Sequence, residues 1–278
     1  MDSEKIEAAT MQFVELSNDL RISMLLGILK KGSGKISEIA KKHSVPVQEV
    51  ARNFKRMTEA GLVIKNSEGE YKLTRVGELA CYNIPSFIFI SNNKKYFKFH
   101  NFGYVPIKFV QRMGSFVDTE LLHGTPIVLD RWKSIYDNAS KKINVISSEL
   151  FDAEFVDMIV EKLKENSELK TSYIMSTDTI MPKQRREDLI DKGLHSLISE
   201  KKIERRMLKK IRTILVTNEN EAMVMFPSID GQSDMREAFY GTDPDFIEWC
   251  EDYFEDSWKK SDSFTEKQIK YFDKKYPE

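Results

Sequence analysis

Between residues 35 and 74 the chain is punctuated so closely that only short elements can form. Residues 35–42 place Ile36, Ile39 and Ala40 on one helical face, and the tight turn His43-Ser44-Val45 follows at once. Pro46 opens the next run, where a missing N–H is tolerated because the first amides of a helix have no intrahelical partner. Across residues 46–60 the apolar positions Val47, Val50, Phe54 and Met57 lie three or four apart and read as inward, leaving Gln48, Glu49, Arg52, Lys55 and Arg56 outward. Gly61 stops that helix. Residues 62–65 and 70–74 then read as short strands joined by the turn-rich loop Asn66-Ser67-Glu68-Gly69. Upstream, residues 4–30 carry Ile6, Phe13, Leu16, Leu20, Met24, Leu25, Ile28 and Leu29 at three- and four-residue spacings, as a core-facing helix or a helix pair requires.

Three helices followed by a hairpin predict an α+β winged helix over residues 1–80. Charge supports a nucleic-acid role for this part alone. The whole chain is nearly neutral, with 43 basic and 44 acidic residues, which excludes binding of polyanions by bulk charge. Between Leu20 and Lys65, however, ten basic residues face three acidic ones, a local charge of +7. A recognition helix enters the major groove only if one face packs on its own domain and the other offers donors and acceptors. On residues 46–60, Gln48 is placed to read a base edge and Arg52, one turn on, to reach guanine or phosphate. Lys55 and Arg56 suit phosphate neutralisation, with Ser44 and Lys65 as further phosphate candidates and Val47 and Ala51 completing the candidate DNA-facing set. Glu68 and Glu70 are expected to repel phosphates at the wing.

Several segments carry a family resemblance. Segment 35–40 (KISEIA), segment 44–57 (SVPVQEVARNFKRM) and segment 59–63 (EAGLV) together resemble the helix-turn-helix and wing of ArsR-like and TrmB-like regulators. Tyr71-Lys72-Leu73-Thr74 followed by Gly77 is similar to their wing exit. Segment 96–106 (YFKFHNFGYVP) resembles the linker of the archaeal family that includes the methanogenesis and filamentation regulators. Thr217-Asn218, segment 226–234 (FPSIDGQSD) and segment 249–254 (WCEDYF) are similar to the same family's C-terminal region. The resemblance implies a dimeric, non-enzymatic transcriptional regulator of an operator in double-stranded DNA, with a C-terminal effector-sensing domain that in TrmB-like regulators is sometimes phospholipase D-like.

The remainder reads as two further parts. Residues 81–135 are rich in aromatics without clear periodicity, which predicts a connector packed between domains or subunits and, with the first helix, the contact of a homodimer. Lys94, Lys95 and Lys98 read there as a solvated basic edge. Residues 136–278 alternate strands at 142–146, 169–175, 203–208, 212–216 and 222–226 with helices at 149–166, 183–200 and 243–260, an α/β domain with a mixed sheet. Arg205 and Arg212, with Asp230 and Asp234, are its candidate ligand residues, since converging arginines suit a carboxylate or phosphate. Asp230-Gly231 reads equally as a turn, and arginines at 205 and 206 as an in-and-out alternation on a strand.

Catalysis is not expected. None of the four histidines has a lysine two residues on, as phospholipase D chemistry needs, and no glycine-rich loop follows a strand, as a methyltransferase with a winged-helix dimerisation module requires. No spacing of His and Cys suggests a metal or other cofactor; His195 reads as a core residue, and Cys81 and Cys250 as buried thiols. No apolar run is long enough to span a membrane, and the start lacks a signal-peptide core, so a cytoplasmic protein is expected. The alternative to effector sensing is a C-terminal domain that only dimerises or recruits another protein.

Overall fold

Asn18 breaks the first helical stretch in two, its side chain accepting the Arg21 amide at 2.9 Å and so capping a new helix. The computed structural model describes residues 2–148, 153–182, 187, 190–265, 267 and 270–272. The chain forms two compact units, Met1–Ile88 and Phe89–Glu278.

The first unit contains α1 (Ser3–Glu15), α2 (Asp19–Lys31), α3 (Ile36–His43), α4 (Val47–Glu59), β1 (Val63–Lys65) and β2 (Tyr71–Leu73), and most of α5 (Arg75–Asn92), inside which the boundary falls. It is a winged helix. β1 and β2 pair antiparallel with Val63 opposite Leu73, and the Gly34 and Tyr71 backbones exchange hydrogen bonds of 2.9 and 3.0 Å, fastening the α2–α3 loop to the hairpin. The core is Met24, Leu25 and Ile28 of α2, Val50, Phe54 and Met57 of α4, Leu62, and Cys81 of α5. Each such side chain contributes about 1.5–3 kcal/mol when withdrawn from water. Two expectations are corrected here. Ile6 and Phe13 are half exposed and α1 buries no residue, so its apolar side chains are not enclosed within this unit. Val47 is exposed as well, at the first position of α4, where the helix's inward face has not yet met its neighbours.

The second unit is built on a mixed eight-stranded sheet with the order β11-β7-β5-β4-β8-β9-β10-β3. Its strands are β3 (Glu120–His123), β4 (Lys142–Ser147), β5 (Lys170–Ser176), β7 (Ile203–Leu208), β8 (Ile214–Thr217), β9 (Ala222–Met225), β10 (Glu237–Gly241) and β11 (Asp262–Ser263). β4, β5 and β7 run parallel, whereas β8 is antiparallel to β4. A separate parallel pair joins β6 (Ile180–Pro182) to β12 (Lys270–Phe272). Alternation assigns the faces: Ile214, Val216, Met223 and Met225 join the core under α7 (Thr125–Asn138), α8 (Ala153–Glu165) and α9 (Leu194–Ser199). Leu215, Ala222, Val224 and Phe226 join the opposite core with α6 (Ile107–Val110) and α10 (Pro244–Lys260).

Segment 81–135 is not a connector standing apart. From Phe89 onward its aromatics fill the second unit's core: Phe116 meets Phe246 and Trp249 edge-on at 4.7 and 4.8 Å, and the Trp249 indole donates to the Phe109 carbonyl at 3.0 Å. The same segment supplies α6, edge strand β3, α7 and the 3-10 turns Tyr96–Lys98 and Met113–Phe116. The first residues of the helices expected at 149 and 183 lie outside the described residues.

Candidate nucleic-acid interface

The turn between α3 and α4 is held by backbone geometry. Ser44 takes a left-handed conformation at φ 55°, and the Val45 amide reaches the Ala40 carbonyl at 3.1 Å. Pro46 caps α4 with its carbonyl, which accepts the Glu49 and Val50 amides. Inside, Phe54 stacks on Tyr71 with centroids 3.8 Å apart and planes at 12°, so the helix and the wing move as one piece. Outside, Gln48, Arg52 and Lys55 are exposed on one face with Ala51 between them, and Val47 and Ser44 stand exposed at its N-terminal edge.

Arg56 is not part of that face. Its guanidinium grips the Glu15 carboxylate through two hydrogen bonds of 2.7 and 3.1 Å, and this hydrogen bond holds the Glu15 carboxyl below its ordinary range. The pairing occurs because position 56 falls on the flank of α4 that looks toward the end of α1. Arg21, also counted in the basic patch, is buried and donates to the Glu15 and Val14 carbonyls and to Asn53 at 2.6, 3.1 and 3.2 Å. Glu70 is corrected in the opposite sense. It turns back to the Ser33 hydroxyl at 2.9 Å and the Lys35 ammonium at 3.3 Å, which lower its pKa, so its charge is neutralised and its repulsion of phosphate falls away. Glu68 stays exposed at the wing tip.

What remains is a surface of unpaired cations. Among the described residues Arg52, Lys65, Lys41, Lys42 and Lys72 are exposed and make no ion pair, while Lys55 makes only a loose exposed one to Glu59 at 3.9 Å. Lys65 sits 5.8 Å from the Tyr71 ring centroid. Lys41, Lys42 and Lys72 lie outside the set read from the sequence: the first two close the helix before the turn, and Lys72 alternates with Tyr71 and Leu73 on β2.

The second unit does not bring its four candidates together. Arg205 lies over the Phe264 ring at 3.8 Å, and Arg212 donates to Gln232 at 3.1 Å. Asp230 accepts from the Ser228 hydroxyl and closes a turn at Gly231, φ 78°. Asp234 is buried and accepts three hydrogen bonds from the Arg236 guanidinium between 2.6 and 3.2 Å, which with the backbone bond from Arg236 hold its carboxyl down at about 2. The buried histidine is His100, stacked on Tyr96 at 3.9 Å with Nε2 3.4 Å from Asp234; His195, expected in the core, is exposed because it faces away from Leu197 on α9. Cys81 and Cys250 are buried thiols, both pushed up by burial, Cys81 to about 11.

Residues 128–260 match the family model of the methanogenesis regulatory protein FilR1, middle domain. The matched residues run from within α7 to the end of α10 and include the greater part of the mixed sheet. Among solved structures, the chain is similar to the archaeal chromatin protein TrmBL2 at 14% identity and TM-score 0.41, over 89% of this chain and 94% of that one. It is also similar to NucT from Helicobacter pylori (11% identity, TM-score 0.40) and to Nuc from Salmonella typhimurium, a phospholipase D family member (9% identity, TM-score 0.38), each over 53% of this chain and 99% of that one. At these scores the likenesses carry no functional information. No curated protein matches the chain at a significant level. Among the described residues no helix is long and apolar enough to cross a membrane, and no cluster of His, Cys, Asp and Glu could hold a metal ion.

Proposed function

We propose that this protein is a DNA-binding transcriptional regulator that works as a homodimer and performs no chemical step. The observation that carries this reading is the outer face of α4, where Gln48, Arg52 and Lys55 stand exposed on a helix whose other face is packed, flanked by unpaired lysines on α3 and the hairpin. The match of residues 128–260 to the FilR1 middle-domain model supports a regulatory role. The homodimer is supported by the apolar side chains left uncovered on α1 and α5, among them Met11, Phe13, Leu79, Tyr82 and Phe87, with Phe13 and Phe87 meeting edge-on at 5.9 Å. Regulation then follows from linkage: a small molecule that binds one arrangement of the FilR1 middle domains better than another changes the affinity for the operator.

A second reading, in which the second unit only dimerises or recruits a protein, has one observation in its favour. Both faces of the sheet are filled with buried side chains that pack into two apolar cores. The test common to both is binding to duplex DNA from the region upstream of the protein's own gene, against a random duplex of equal length, over a series of salt concentrations. A regulator gives preferential binding with a slope of log K on log salt of about −0.9 per phosphate neutralised. No binding to either duplex at low salt would sink the proposal.

A further inference from the structure

At one edge of the large sheet a cavity of about 230 Å³ opens among the loops that follow the strands. Ser148 follows β4, Ser176 ends β5, Lys210 follows β7, Arg212 precedes the antiparallel β8, and Ser233 lies between β9 and β10. Because β4, β5 and β7 are parallel and β8 and β9 alternate in direction, all of these positions fall on the same edge. It is the carboxyl end of the parallel strands β4, β5 and β7, the end of open α/β sheets outside which ligands are received. We propose that this cavity binds the phosphate group of a small phosphorylated effector; the inference rests on the reading of the second unit as a sensor.

The chemistry of the lining favours an oxyanion. Lys210 is exposed and makes no ion pair among the described residues, and Arg212 is half-buried with its guanidinium held by the neutral amide of Gln232 at 3.1 Å. Neither cation is spent on a carboxylate. Hydroxyls stand around them: Ser148 and Ser233 lie 3.0 Å apart and tie two loops together, Thr179 Oγ1 donates to the Ser148 carbonyl at 3.0 Å, and Ser176 Oγ accepts the Asp178 amide at 3.1 Å, leaving its own proton to donate. Among the described residues Asp178, exposed at the rim, is the one carboxylate lining the cavity, so two positive charges outweigh one negative. Donors arriving from four separate loops surround a tetrahedral group better than they clamp a planar carboxylate, for which a single arginine fork suffices. The cavity lies just below the range of about 300–1,000 Å³ usual for small-molecule sites, so the phosphorylated part of the effector is small.

The test is thermal unfolding of the full chain, titrated with sodium phosphate against sodium chloride and sodium acetate of matched ionic strength. Phosphate raises Tm in a saturable manner, and Lys210→Gln and Arg212→Gln each weaken the half-saturation by about tenfold, as loss of a charge-assisted hydrogen bond does. Arg52→Ala retains the full phosphate response, which separates this site from the basic face of α4. Should Arg212→Gln disturb folding, Lys210→Gln, at an exposed position, decides the matter. Three results would overturn the proposal: no saturable response, equal responses in wild type and Lys210→Gln, or acetate acting as well as phosphate. Duplex binding by the same proteins keeps the two readings apart. Protein that binds duplex but not phosphate loses only the phosphate site, and protein that binds phosphate but no duplex loses only the regulator.

Discussion

Arg52 and Arg56 are one turn apart on the same helix and have opposite fates. Arg52 extends into solvent from the middle of the polar face, whereas Arg56 is pinned to Glu15. We expect Arg52→Ala to weaken duplex binding and to flatten the salt dependence by about 0.9 in slope, one phosphate contact, with Tm unchanged. Arg56→Ala is expected to leave the slope as it was and to lower Tm, because the Glu15 carboxylate loses both hydrogen bonds from the Arg56 guanidinium. A lost slope in the second variant would return Arg56 to the interface. The carboxylates of the second unit make a separate prediction. Arg236 holds Asp234 at about 2, and Glu219 also sits at about 2, because hydrogen bonds from the Ser140 hydroxyl and backbone amides outweigh the upward push of burial. Depressed carboxyl pKa values stabilise the fold above the unfolded-state values near 4 and lose that contribution as pH falls toward about 2. Urea midpoints measured down this range are expected to fall, and Asp234→Asn to flatten the fall by about 1–2 kcal/mol.

At the level of elements, the wing is fastened to α5 by a contact only glycine permits. A Cβ at Gly77 would stand 2.0 Å from the Leu62 carbonyl oxygen, while the Gly77 amide donates to the Thr74 hydroxyl at 3.0 Å, which itself donates to the Gly61 carbonyl at 2.5 Å. Gly77→Ala must push the helix off the hairpin and is expected to destabilise the first unit by about 2–3 kcal/mol, read as a lower urea midpoint. A variant as stable as wild type would show that the helix start can shift without loss. The helix boundaries illustrate how much was legible. Pro46, Gly61 and the 66–69 loop bounded α4 and the hairpin to within a residue, because proline and glycine act locally. Residues 120–123 and 237–241, by contrast, gave no clear strand pattern, since they pair only with each other and with β9 across long loops.

For the whole molecule, the uncovered apolar residues of α1 and α5 set the expectation of assembly. Leu79, Tyr82 and Phe87 are each more than half exposed and recur on one side of α5, and α1 adds Met11 and Phe13. Light scattering is expected to give twice the 32.4 kDa of one chain. Leu79→Glu combined with Phe87→Glu is expected to give the monomer and to weaken duplex binding at least tenfold, because each recognition helix would then bind alone. A monomeric wild type would refute the dimer and leave those residues to another partner.

The sequence by itself determined the winged helix and the exposed face of α4, because these follow from short-range periodicity and from residues that restrict the backbone. Tertiary structure decided how each charge is used. Arg21, Lys35 and Arg56 look like members of the basic patch until the fold sets them against Glu15, Asn53 and Glu70. It also decided that segment 81–135, from Phe89 onward, contributes to the second unit's core rather than standing apart as a connector, and that Arg212 stands beside Lys210 at a sheet edge while Arg205 packs on Phe264. Periodicity reports which side of an element is apolar, but partners distant in sequence are chosen by packing, and ion pairs and cavities exist only between such partners.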